Sequence, residues 1–218
     1  MQNTKDTVPT TSKGAKTKQV ILDTALDLFS TKGYKATTVR DISGAIGIKQ
    51  SALYNHFKNK EEILETLIGN LTQSAIANIF ADNETKMAQK SPKALLMGIA
   101  TTFKLLSFDG QNEALYRLLM QEVFRNENVR IIYNEYFYQE NVKKLSGILF
   151  NMMQEDKIKS SDPLLLAHEF FSPLFFYQMQ VILLKLDKKS TSSVVSMFEK
   201  HVNWFWDNIK VEYQDTLF

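Results

Sequence analysis

The chain has 218 residues, with 26 Lys and Arg against 24 Asp and Glu, and no cysteine. That length is enough to bury one or two cores. The missing cysteine excludes disulfides, thiolate chemistry and cysteine-based metal sites, and fits a reducing compartment. The net charge of +2 hides an asymmetry: residues 1–60 hold ten basic and four acidic side chains (+6), residues 61–218 sixteen and twenty (−4). One end is built to meet a polyanion and the other is not.

In chain order, residues 1–16 are polar, contain Pro9 and Gly14, and read as a disordered basic arm. They lack the apolar core of a secretory signal, so a cytoplasmic location is expected. Residues 18–32 place Ile21, Leu22, Ala25, Leu28 and Phe29 on one helical face, with Gly33 as the stop. Residues 37–60, TTVRDISGAIGIKQSALYNHFKNK, then predict two short helices, about 38–45 and 49–56, separated by a turn at Gly47. Thr38 suits the N-cap of the first, and small Ser43 lets the second approach. Gly44 costs the first helix about 1 kcal/mol relative to alanine, so packing must hold it. Val39, Ile42, Ile46, Ile48 and Leu53 would meet between the two.

A connector helix over 60–80 opens with Glu61 and Glu62, favourable at the positive end of its dipole, and a polar loop follows over 82–91. Further helices are predicted over 92–107, 111–124, 127–155, 163–186 (capped by Asp162) and from Ser190/Thr191 to about 210. The fold class is all-α, about nine helices and no strand, with a helix-turn-helix domain over 17–62 and a helical bundle over 63–218. The longest apolar stretch, 170–184, is interrupted by Ser172, Pro173, Gln178 and Gln180 and is too short to cross a bilayer.

The run from Lys18 to Leu67, and above all LYNHFKNK (residues 53–60) followed by Glu61 and Glu62, resembles the N-terminal domain of the TetR family of bacterial transcriptional regulators. Ser43, Gly44 and Asn55 depart from the family's usual pattern. The resemblance implies that Tyr54 and His56 face phosphates. Lys60, at the start of the connector helix, would join its charge to the helix amides on another phosphate. Thr38 and Arg40 are candidates for backbone contact. Lys49, Gln50 and Ser51 open the second helix and are candidates for base edges, lysine suiting guanine and glutamine adenine. Lys13, Lys16 and Lys18 would follow the phosphates or a neighbouring minor groove.

The same resemblance implies a small-molecule effector held in the second region. Aromatic, sulfur and polar candidates are Phe103, Tyr116, Met120, Glu122, Phe137, His168, Phe171, Phe175, Gln178 and Met179. These residue types at helical spacing are more often plain core; the buried polar ones, however, need partners. The helix over 163–186 is apolar around its circumference and must be covered on more than one side. With the last helix it is expected to pair with a second copy, through Phe176, Ile182, Phe198, Val202, Phe205 and Trp206. A homodimer on double-stranded DNA, released by a mostly hydrophobic effector, is therefore the expected repressor. No metal or organic cofactor is expected: His56, His168 and His201 are scattered and no catalytic motif is present. The alternative is an all-helical carrier or interaction module, which would leave Lys49, Tyr54, His56 and Lys60 without purpose.

Overall fold

The computed structural model describes residues 13–74 and 91–212. Among them there is no β-strand, only a single bridging pair between Ile158 and Lys210. The helices are α1 (Lys13–Lys32), α2 (Val39–Ala45), α3 (Gln50–Tyr54), α4 (Lys60–Ser74), α5 (Pro92–Leu106), α6 (Gly110–Glu122), α7 (Glu127–Ile132), α8 (Glu140–Gln154), α9 (Pro163–Leu186) and α10 (Ser192–Ile209). A π-helical segment, Tyr133–Gln139, joins α7 to α8. Counted as one run, 127–154 brings the described helices to nine, as the sequence predicts. The chain divides into two compact units between Leu67 and Ile68.

In the first unit α1, which packs on α2, buries Ile21, Leu22, Ala25, Leu26 and Phe29, and Ile42 of α2, Leu53 of α3 and Ile63 and Leu64 of α4 are buried too. The helix begins at Lys13, so the expected disordered arm is corrected over 13–16; residues 1–12 lie outside the described ones. Gly33 ends α1 at φ 91°, in the left-handed region that suits glycine. Thr38 caps α2 reciprocally: its hydroxyl accepts from the Asp41 amide while the Asp41 carboxylate accepts from the Thr38 amide at 2.8 Å. That bonding holds the Asp41 carboxyl below the usual carboxylate range, its hydrogen bonds to Thr38 being the chief cause.

The turn between α2 and α3 is a double hydrogen-bonded stop. The Gly47 amide donates to the Gly44 carbonyl and the Ile48 amide to the Ser43 carbonyl, with Gly47 at φ 70°. Ser43 is buried, as a close helix crossing requires.

The second unit packs α9 between α8 and α10, with α5 against both α9 and α10. Ser91, Asp109, Asn126 and Asp162 cap α5, α6, α7 and α9 through their side chains. Pro92 and Pro163 occupy first turns, where a missing amide costs nothing. The connection before α9 is stitched to the end of α10, the Lys159 amide donating to the Ile209 carbonyl at 2.7 Å. Lys185 ties α9 to the α5–α6 corner: its ammonium donates to the Ser107 carbonyl at 3.0 Å, pairs with Glu113 and lies over the Phe108 ring. No helix among the described residues is long and apolar enough to cross a membrane. The predicted connector is described through Ser74, and residues 75–90 lie outside the described ones.

Candidate nucleic-acid interface and effector-binding core

The α2–α3 turn carries an exposed polar set. Arg40, Lys49, Gln50, Ser51 and Tyr54 are exposed, Tyr54 by 51%, and His56 is half-buried. Lys49 is the N-cap residue of α3 and makes no side-chain cap bond, so its ammonium is not spent on the helix end. Leu53 and Phe57 point the other way and are buried. The five-residue α3 therefore turns one polar side to water and anchors itself through Leu53.

Three basic or hydroxyl side chains do other work. The Thr38 hydroxyl donates to Asp41 at 2.6 Å, so its proton serves the cap. Lys18 lies 5.1 Å from the centroid of the Phe57 ring, packed on the unit rather than reaching out as an arm. Lys60 is turned inward as well. Its ammonium donates to the carbonyls of Tyr34 and Thr37, each at 2.8 Å, and sits 4.2 Å from the Tyr34 ring centroid.

In the second unit an aromatic core links three helical runs. Phe103 of α5 meets Phe175 edge-on at 5.0 Å and Phe171 at 6.0 Å. Tyr138 lies 5.8 Å from Phe175, and its hydroxyl is bonded to His168 Nδ1 at 2.9 Å. Tyr138 was not among the residues expected from sequence. It comes from the π-helical segment, a widened turn often found at functional sites, which periodicity at 3.6 residues cannot anticipate.

Tyr116, Glu122 and Gln178 are buried, Met120 and His168 half-buried. Burial pushes the phenols of Tyr116 and Tyr133 well above their usual range, so both are neutral donors. The Gln178 carbonyl oxygen Oε1 and Arg117 Nε are buried without a hydrogen-bond partner among the described residues. The Phe137 side chain lies outside the described ones. Met179 is 36% exposed, on the outer side of α9.

The residues expected to pair fall into two groups. Ile182, Phe198, Val202 and Phe205 are inside the protomer, each at most 3% exposed. They pack within the unit; Phe205 lies 5.1 Å from Phe170, and Phe198 meets Tyr177 edge-on. Phe176 is 51% exposed and Trp206 half-buried. Leu165, Leu183, Leu186, Met197 and Trp204, not singled out from sequence, are also exposed. Phe176, Met179, Leu183 and Leu186 follow at intervals of three and four and form one stripe on α9. A helix apolar on all sides gives no periodic signal for which side faces out.

Among the described residues no cluster of His, Asp or Glu has the grouping to hold a metal. Residues 21–67 match the model of the family described as "Bacterial regulatory proteins, tetR family". The chain is 49% identical over 53 residues to the negative transcriptional regulator IcaR of the biofilm operon in Staphylococcus epidermidis, covering 24% of this chain and 29% of that protein. To the transcriptional repressor KstR2 of Rhodococcus jostii it is 26% identical over 151 residues, covering 69% of this chain and 72% of that one. Thus the chain spans less than a third of the length of IcaR. The structure of SmeT in complex with triclosan superposes with a TM-score of 0.72 at 16% identity, over 93% of this chain and 94% of that one, a likeness of fold. The helix-turn-helix geometry and the family match agree over residues 21–67, which are similar to the N-terminal domain of bacterial regulatory proteins of the TetR family, and the all-helical plan of the chain is shared with SmeT.

Proposed function

We propose that the protein is a transcriptional repressor that binds a palindromic operator as a homodimer and is released by a small, mostly apolar effector. The observation that carries this reading is the exposed set Lys49, Gln50, Ser51 and Tyr54, held outward by the buried Leu53 and by the double-bonded turn at Gly47. Lys49 and Gln50 offer a donor and a donor–acceptor pair of the kind that read guanine and adenine edges. Tyr54 and Arg40 supply phosphate contacts that orient without reading sequence.

Dimerisation is supported by the stripe on α9 and by Met197 and Trp204 on α10. So many large apolar side chains on adjoining helices are a liability unless another surface covers them. A two-fold pairing also gives what a palindrome demands, two recognition helices about 34–36 Å apart.

The effector is read from the second unit's core. The ring cluster of Phe103, Phe171, Phe175 and Tyr138 favours an apolar or aromatic body. Gln178 Oε1 seeks a donor and Arg117 Nε an acceptor, so one or two polar groups complete the ligand. Effector and operator each select an arrangement of α4, and so oppose one another reciprocally by about 1–3 kcal/mol, roughly 5–150-fold in affinity. The test is selection of bound duplexes from a random pool by the purified protein. An inverted repeat is expected among them, with binding that weakens steeply as salt rises; affinity that ignores salt and enriches no sequence overturns the reading.

A further inference from the structure

Lys60 is the first residue of α4, and its charge is turned into the protein. An ammonium has three donors; two go to the Tyr34 and Thr37 carbonyls, and the Tyr34 ring takes up the charge from its face. The corner it grips is itself fixed. Tyr34 is buried and meets Phe29 edge-on at 5.1 Å. Thr37 is wholly buried, its hydroxyl donating to the Gly33 carbonyl at 2.9 Å. The next residue, Thr38, is the N-cap of α2 and is locked to Asp41. An unbroken set of bonds thus runs from the start of α4 to the first turn of α2.

We propose that Lys60 is a positioning residue: it ties α4 to the 34–37 corner so that α2, and the recognition helix behind it, follow α4 as one piece, and its charge does not serve a phosphate. This rests on the DNA-binding reading above. For a phosphate to recruit the ammonium, two carbonyls would lose their donor and the ring its cation, a trade that gains one charged contact for three lost ones. The grip is specific to a compact ammonium. A guanidinium, which serves a phosphate at least as well, is planar and larger and does not fit between two carbonyls that converge on one nitrogen.

The experiment compares the full chain with Lys60→Met, Lys60→Arg and, as a reference for a surface charge, Lys49→Ala. Binding to a fixed duplex is measured at several salt concentrations, at a temperature where circular dichroism shows each variant folded. The expected result is a loss of about tenfold for Lys60→Met at every salt concentration, with the slope of log affinity on log salt unchanged. Lys60→Arg is expected to be as weak, and backbone amides at 37–42 to exchange faster in both. A slope shallower by about 0.9, with Lys60→Arg restored to the unsubstituted affinity, overturns the proposal, because that is the signature of one lost phosphate contact.

Should Lys60→Met not fold, the unsubstituted protein decides by nuclear magnetic resonance of its lysine side chains. A Lys60 signal displaced by the Tyr34 ring and unmoved on adding duplex upholds the tie; a signal that shifts with duplex refutes it. If the unsubstituted chain binds no duplex at any salt, the functional reading fails, and amide exchange at 37–42 in Lys60→Met still judges the tie: faster exchange upholds it and unchanged exchange refutes it.

Discussion

The two units put their polar and apolar side chains in opposite places. The first hides a small aliphatic core behind α1 and shows water the set Arg40, Lys49, Gln50, Ser51 and Tyr54. In the second, polar groups are folded inward, with Gln178, Glu122 and His201 buried, while Phe176, Leu183 and Trp204 face out. The inversion is what the proposed function calls for. A polyanion is recognised by solvated charge and hydrogen-bonding groups, whereas a second protein chain or an apolar ligand rewards water-free contact. Exposure therefore means something different in each: in the first unit it marks chemistry, in the second it marks surface still to be covered.

The contrast is broken or sharpened most strongly on the outer stripe. Phe176→Glu with Leu183→Glu is expected to give a folded monomer by light scattering and to weaken operator binding about 100-fold or more, since the second half-site is no longer tethered; a dimer with full affinity would break the comparison. Phe198→Ala, on the inner side of α10, is the counterpart. It should cost about 3–5 kcal/mol in denaturant unfolding without altering subunit number while folded. In the first unit, Gln50→Ala should cost about 1–3 kcal/mol on the preferred duplex and relax the choice of base at one position. Uniform weakening across all duplexes would deny Gln50 a role in reading sequence.

A smaller effect comes from pH. His201 Nε2 is 2.9 Å from the Phe170 carbonyl, one residue beyond Glu169, whose own carbonyl loses its helical donor because Pro173 has no amide. Burial holds the His201 pKa below its ordinary 6.5, partly opposed by that bond and by Glu169. The neutral ring is thus the folded form, and the unfolded chain binds the proton more tightly. Its contribution is full above about pH 6.5 and is lost as pH falls through the lower folded value. Thermal unfolding at pH 7.5 and 5.0 should show a drop that is smaller in His201→Gln.

Least of all, Gly44→Ala should raise stability by about 0.5–1 kcal/mol, because a methyl there meets nothing within 4 Å and the backbone is ordinary helix. A loss of stability would mean that the α2–α3 crossing is tighter than its geometry indicates.

Much of the first unit was legible because its signals are local. Thr38, Gly33, Gly47 and Ser43 act within a few residues of themselves, through caps, positive φ and close approach, and each does what its type implies. The inward bonds of Lys60 were not legible because its partners, Tyr34 and Thr37, lie 26 and 23 residues away. Which side of α9 is buried was hidden too, since an all-apolar helix has no orientation of its own. Ile182 and Phe176 are equally greasy in sequence, and only packing put one inside and the other outside.

Sequence alone determined the helices, their caps and the exposed polar set, because hydrogen bonds at helix ends and the pairing of charge with a turn are short-range physics. Tertiary structure alone decided which apolar faces stay open, brought Tyr138 to His168 across 30 residues, and turned Lys60 from the outside to the inside. Those outcomes depend on which distant surface reaches a side chain first.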